Sequence, residues 1–408
     1  LNMYVPSYQF NTNYYMMKSK NKISKGLKKM ISILLLVTFL PYGCNLSNGQ
    51  ERNYENEVTS GKKKKSIQMA ILLDTSNSMD GLIEQAKSQL WSIVNELAKA
   101  TCEGDKPDLH IALYEYGNDN LPSSEGYIRM VTPLTSDLDQ ISGDLFSLTT
   151  KGGQEYCGYV IKSALDQLEW NNNVEGYQVI FVAGNEPFNQ GNIDFRKSCT
   201  QAKNKSVIVN TIFCGNFQEG INSYWKEGAT MTGGDYMSIE QNSKTVYIES
   251  PYDKDIMKLN QRLNETYIHY GQKGYEKKEM QAQQDRNAES YGAVNSVQRT
   301  VSKSSHVYKN SSWDLVDASK DKDFSINQVK EEELPEEMRS MNDQEKKDHI
   351  QAKMKEREKI QQQILELNKK REAYVADKQK ENSQDNMLDQ VLLSTVRKQA
   401  SSKNLKFE

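Results

Sequence analysis

The chain changes its hydrophobic rhythm along its length. Between residues 66 and 270, short apolar runs alternate with stretches whose apolar residues recur at helical spacing. Ser66–Leu73, Leu109–Tyr116, Tyr177–Ala183 and Val207–Phe213 predict buried strands. Tyr236–Ile239 predicts a shorter strand, and Gly126–Leu134 one at a sheet edge. Ile83, Ala86, Leu90, Ile93, Val94 and Leu97 mark one face of a helix over Ile83–Ala100. Leu138–Leu148, Tyr159–Trp170, Phe195–Asn204, Tyr224–Thr230 and Tyr252–Tyr267 also read as helices. Apolar strands without polar alternation, each separated by a helix, predict an α/β fold. Its central sheet is mostly parallel and is flanked by helices on both faces.

Beyond residue 270 that rhythm is lost. Residues 271–304 are polar and helix-compatible, and Trp313-Asp314-Leu315-Val316 is a small apolar island that reads as a docking point. From Glu331 to Lys380 the chain is rich in Glu, Lys, Gln and Arg, interrupted by Pro335. Ile350, Met354, Ile360, Ile364, Leu367 and Tyr374 form one apolar stripe on this charged helix. Regular heptads are not sustained, so a coiled coil is permitted rather than required. Met387–Val396 reads as a last amphipathic helix. The chain thus divides into an upstream segment with a leader (1–44) and a polar tether (45–65). An α/β domain (66–270), a helical or irregular linker (271–325) and a charged helical region open to coiled-coil pairing (326–408) follow.

Composition adds an extended part to this picture. Of 408 residues, 37% are hydrophobic and 26% charged, a low apolar share for one globule, which fits a globular part joined to a solvated one. A net charge of −3 argues against nucleic acid as the main partner. Lys18, Lys20, Lys22, Lys25, Lys28 and Lys29 precede the apolar run Ile31–Leu40, which has the length of a signal-peptide core and is short for a membrane span. Residues 1–15 resemble no targeting element, which puts the expected start at Met16 or Met17. The run ends at Pro41-Tyr42-Gly43-Cys44 and resembles a bacterial lipoprotein signal, with Pro41 where such signals usually place Leu. The resemblance implies lipidation of Cys44. It also implies a lipid-anchored protein of the bacterial cell envelope, on the periplasmic side or at the outer membrane. Cys102, Cys157, Cys199 and Cys214 form no CxxC pair or Cys/His cluster, which argues against zinc. They are either paired in an oxidising compartment or buried singly as small hydrophobes.

The candidate chemistry lies where the first strand stops, at Asp74-Thr75-Ser76-Asn77-Ser78. One carboxylate and two hydroxyls on a loop at the carboxyl end of a strand offer oxygen ligands to a hard divalent cation. Strand, Asp-x-Ser-x-Ser loop, long helix and a later Gly-Gly loop together resemble the von Willebrand factor A domain and its metal-ion-dependent adhesion site, over residues 66–270. The resemblance implies a Rossmann-like fold and Mg²⁺ (or Mn²⁺ or Ca²⁺), held by Asp74, Ser76 and Ser78 of the first loop. It also implies a Thr from a second loop and an Asp from a third. Here Gly152-Gly153-Gln154-Glu155 puts Glu155 in the place of the Thr, and Ala183-Gly184-Asn185-Glu186 puts Gly184 in the place of the Asp. One change removes a negative charge and the other restores it. The expected metal ligands are therefore Asp74, Ser76, Ser78 and Glu155. Glu115, Asn185 and Glu186 lie near the same edge and are candidates for a supporting role, although solvated carboxylates are the plainer reading of Glu115 and Glu186. Asp80 reads as an acid in the first turn of a helix.

No nucleophile–histidine order, phosphate-cradling GxxxxGKS or HExxH accompanies this loop. The expected activity is therefore binding rather than catalysis: metal-dependent capture of an acidic group from a protein ligand. The alternative is an envelope assembly scaffold that works through its C-terminal helix and has a degenerate metal site. A third reading, a partner of an ATPase motor, sits poorly with an export signal.

Overall fold

The structure is a computed structural model that describes residues 65–171, 176–239, 248–382 and 388–407. Cys44, the apolar leader and the tether lie outside the described residues. Strand β1 (Ser66–Asp74) turns through a short 3-10 segment at Asn77–Met79 into helix α1 (Asp80–Ala98). There follow β2 (Ala100–Thr101), β3 (Asp108–Tyr116), β4 (Ile128–Thr135), α2 (Leu138–Ser147), α3 (Cys157–Gln167), β5 (Tyr177–Gly184), α4 (Phe195–Asn204) and β6 (Ile208–Cys214). The domain continues with α5 (Phe217–Asn222), α6 (Trp225–Thr232), β7 (Tyr236–Ile239) and α7 (Asp253–Asn264). Then come α8 (Gly274–Ser290), α9 (Ala293–Lys303), α10 (Leu315–Ala318), α11 (Glu336–Arg339), α12 (Asp343–Asn382), α13 (Leu388–Ser402) and β8 (Lys406–Phe407).

The main sheet has the order β4-β3-β1-β5-β6-β7. Only the edge strand β4 runs antiparallel, against β3; the other pairings are parallel. The alternation of side chains along a strand explains the apolar runs. On β1, Ile67, Met69 and Leu73 enter the core on one face of the sheet, while Ala70 and Leu72 enter the core on the other. Strand β5 repeats this with Tyr177, Val179, Phe181 and Ala183 against Ile180 and Val182. The first face is covered by α1, α2 and α7, and the second by α3, α4 and α6. Asp137 caps α2 by accepting from Gln140 N at 3.0 Å, and Asp194 caps α4 from Arg196 N at 3.0 Å. The central strands appear within a residue or two of the expected spans. Helix α5 and the β2–β8 pair were not expected, because such short elements carry too little periodicity to read.

The charged C-terminal part differs from the expectation of a solvated extension. Val297, Val301, Trp313, Ile360, Ile364, Val396 and Leu405 belong to the same buried cluster as β1 and α1. The apolar stripe of α12 thus meets the chain's own α7, α9 and α10 rather than a second helix of a coiled coil. Buried cations join this layer to the domain. Arg299 pairs with Asp139 at 2.8 Å and Asp285 at 2.5 Å, Lys303 with Asp285 at 2.9 Å, and Arg371 with Asp253 at 2.9 Å. Arg357 pairs with Asp314 at 2.6 Å. At the amino end of the sheet, Gln399 of α13 accepts from Tyr177 Oη at 3.0 Å and donates to Asn210 Oδ1 at 2.7 Å. Arg299, Lys303, Arg357 and Arg371 are thus buried in ion pairs, while charged residues such as Lys347, Lys355, Glu358, Lys359 and Glu366 cover the exposed face of α12. No helix among the described residues is long and apolar enough to cross a membrane.

Candidate metal site

Parallel pairing sets the carboxyl ends of β3, β1 and β5 side by side. Asp74 is in register with Tyr116, and Leu73 with Ala183, so the loops after the three strands open at one edge. Asp74 is fully buried. Its Oδ1 accepts from Ser76 N at 2.8 Å, which folds the first loop back over the strand end. That turn carries Ser76, buried, to within 3.4 Å of the exposed Ser78, hydroxyl to hydroxyl.

The second loop is tied onto the first. Lys151 N donates to Thr75 O at 2.9 Å, and Gly152 N donates to Asn77 Oδ1 at 2.6 Å. Asn118 Nδ2 donates to Thr149 O at 2.9 Å, and Glu155 N donates to Gln190 Oε1 at 2.8 Å. The loop can come this close because residue 117 is a glycine with φ of +81°. A Cβ there would lie 2.8 Å from both Asp74 Oδ1 and Glu155 Cγ. The structure therefore brings Asp74, Ser76, Ser78 and Glu155 together, with the Asp74 and Glu155 carboxyl groups within hydrogen-bonding reach of each other.

Two like acids buried face to face need a proton or a cation between them. Asp74 Oδ2 and Glu155 Oε2 are both buried and have no hydrogen-bond donor. Burial, opposed by weaker hydrogen bonds, pushes the Asp74 carboxyl up to about 6. Burial and the adjacent charge of Asp74 push Glu155 up to about 9. Among the described residues there is no cluster of three or more His, Cys, Asp or Glu side chains placed to hold a metal. The set here is two carboxylates and two hydroxyls, an all-oxygen set that fits a hard divalent ion completed by water.

The supporting candidates take different places. Glu115 is buried, not solvated. It accepts from Thr75 Oγ1 at 3.2 Å and pairs with Arg129 of the edge strand at 2.5 Å, so it holds the residue next to Asp74 from below. Asn185 donates to Ser78 Oγ at 3.0 Å, and its Oδ1 is buried without a partner. Glu186 is exposed, and its charge helps to raise both buried acids. Asp80 begins α1 and accepts from Thr150 Oγ1. Asn77, Gly117, Asn118 and Gln190 were not anticipated. Asn77 alone had a signal, its place inside the Asp-x-Ser-x-Ser loop. Cys102, Cys157, Cys199 and Cys214 are all buried free thiols.

A mostly parallel six-stranded sheet with helices on both faces and an Asp-x-Ser-x-Ser loop at its carboxyl edge defines a Rossmann-like α/β domain. The profile of the von Willebrand factor type A domain matches residues 68–221, and this part of the chain is a domain of that family. Several solved structures resemble it. The SpRpn10 VWA domain is 17% identical, with a TM-score of 0.32 over 44% of this chain and 90% of that one. The von Willebrand factor domain of the type V pili tip protein Mfa5 from Porphyromonas gingivalis is 12% identical, with a TM-score of 0.32 over 43% and 90%. Proximal thread matrix protein 1 from the mussel byssus is 12% identical, with a TM-score of 0.31 over 43% of this chain and 41% of that one, well under half of the mussel protein. No match was found among curated proteins.

Proposed function

We propose that the protein is a metal-dependent binding module held at the bacterial cell envelope, which uses Mg²⁺ at Asp74, Ser76, Ser78 and Glu155 to capture an acidic group of a protein ligand. One observation carries this reading: two neighbouring buried carboxyl groups, Asp74 and Glu155, each have an oxygen, Oδ2 and Oε2, without a hydrogen-bond partner. A divalent ion there would neutralise both and keep a coordination position for an oxygen of the partner. Domains of this family commonly serve protein interaction and commonly bind a divalent metal at this loop. The anchor rests on Cys44 and the leader sequence, and a lipid at that position would leave the tether to hold the domain off the membrane. The alternative, a scaffold working through the long helix, has less in its favour, because Ile350, Ile360 and Ile364 are buried against the chain itself.

Calorimetric titration of the full chain with Mg²⁺ and with Mn²⁺ tests the site. Wild type is expected to bind, and Glu155→Ala and Asp74→Ala to lose binding. Equal heats for wild type and Glu155→Ala would refute the role of Glu155. Pull-downs from envelope extracts with and without EDTA test the function: partners that persist in EDTA contradict metal-dependent capture.

A further inference from the structure

We infer that Tyr116 decides which loop supplies the second carboxylate of the metal site. This rests on reading the loop as a metal site, and it concerns why the donor set has its present form. Gly184, at the end of β5, points at Asp74: a Cβ there would lie 3.0 Å from Asp74 Oδ2 and 3.2 Å from Asp74 Cβ. A side chain on residue 184 would therefore point into the site, and Asp74 would have to give by a few tenths of an ångström to admit it. The same Cβ would lie 2.5 Å from Tyr116 Oη, closer than real contacts allow. The hydroxyl cannot easily yield. Tyr116 is fully buried in the core under α3, donates to Ala183 O at 2.9 Å, and lies 3.5 Å from Cys157 Sγ. The phenol thus fills the space that a side chain from β5 would need, and its bond to Ala183 fixes the residue just before Gly184.

With that side blocked, the second negative charge has to come from across the site. The approach of the second loop at Gly117 supplies it through Glu155. Tyr116, Gly184 and Glu155 then form one interdependent set. Tyr116 is a positioning residue in it, and it determines the donor set without touching the ion.

The test reads Mg²⁺ binding by calorimetry on the full chain, alongside metal-free melting. Glu155→Thr is expected to weaken binding by more than the roughly 10–100-fold typical of changes outside the first coordination sphere. Adding Gly184→Asp alone is expected to return nothing. Adding Tyr116→Phe to that pair is expected to bring affinity back to within about tenfold of wild type, since Phe keeps the ring and frees the space of the hydroxyl. Recovery without the change at 116, or no recovery in a folded triple variant, overturns the inference. The metal-free arm compares Gly184→Ala in the wild-type and Tyr116→Phe backgrounds. The loss of melting temperature is expected to be smaller in the Tyr116→Phe background, and equal losses overturn the inference. If wild type bound no Mg²⁺, the metal reading would fall, while the melting comparison would still decide the role of Tyr116.

Discussion

Replacing Arg357 by Met tests whether the charged helix is part of the domain core. Arg357 is 1% exposed, and its guanidinium is engaged on every side. Nη1 and Nη2 hold both oxygens of Asp314, at 2.6 and 3.2 Å, and Nη1 also reaches Asp317 Oδ1 at 3.2 Å. Nε and Nη2 donate to Thr266 Oγ1 and O at 3.0 and 2.7 Å, and the guanidinium lies 4.0 Å from the centre of the Tyr267 ring. Asp314 is fully buried, and burial raises its carboxyl even with Arg357 beside it. Met fills much of the volume but leaves Asp314 as a buried charge without its cation, a loss of about 3–5 kcal/mol. For a chain of this size that corresponds to a fall in melting temperature of roughly 4–7 °C. The pH sign follows from the carboxyl. Without Arg357 the folded-state pKa of Asp314 stands further above its unfolded value. The variant therefore gains stability as pH falls through that pKa, and its deficit against wild type shrinks in acid. Circular dichroism melts from about pH 5 to about pH 8 read both effects. Asp314→Asn in the Arg357→Met background is expected to recover part of the loss, since it removes the stranded charge and keeps an acceptor for Ile268 N, now 2.8 Å away. A change below about 1 kcal/mol, the range of exposed pairs, or a deficit independent of pH would refute an integral α12.

The metal site yields further expectations. Mg²⁺ affinity should rise with pH between about 6 and about 9, because protons on the raised Asp74 and Glu155 carboxyls compete with the ion; a flat affinity profile in calorimetry would count against this. Metal-free stability should run the opposite way. The native state holds protons that the unfolded chain releases, so the melting temperature in EDTA should fall as pH rises over the same window. Glu155→Gln should stabilise the metal-free protein at about pH 8 by about 1–3 kcal/mol, because the amide donates to Asp74 without the proton uptake that Glu155 needs there, while abolishing Mg²⁺ binding; denaturant melts with and without the ion check both halves. Labelled palmitate should enter the wild-type protein in a bacterial host and not Cys44→Ala; label that persists in the variant rules out lipidation at Cys44.

Much of the fold was legible because burial on both faces of a parallel strand leaves an unbroken apolar run, as in Met69–Leu73 and Val179–Ala183. The first loop was legible because Asp74, Ser76 and Ser78 are neighbours in sequence. Glu155 was reachable through the Gly-Gly turn before it. The reason for Gly184 was not, since it depends on the hydroxyl of Tyr116, on another strand. Glu115 looked like a surface acid because its partners, Thr75 and Arg129, sit on a loop and on the neighbouring strand. The charged C-terminal helices misled for the same reason. Arg299, Lys303, Arg357 and Arg371 read as solvated until the acids that neutralise them are placed beside them.

Local order in the chain therefore determined the alternation of strands and helices, the parallel sheet and the first half of the candidate site, because those properties follow from neighbours a few residues apart. Tertiary structure alone decided that Glu115 is buried beside the loop, why residue 184 carries no side chain, and that the last third of the chain packs onto the core. Those outcomes depend on atoms brought together from distant parts of the chain. Whether a charge is buried or a position is blocked is a property of that meeting, not of any segment.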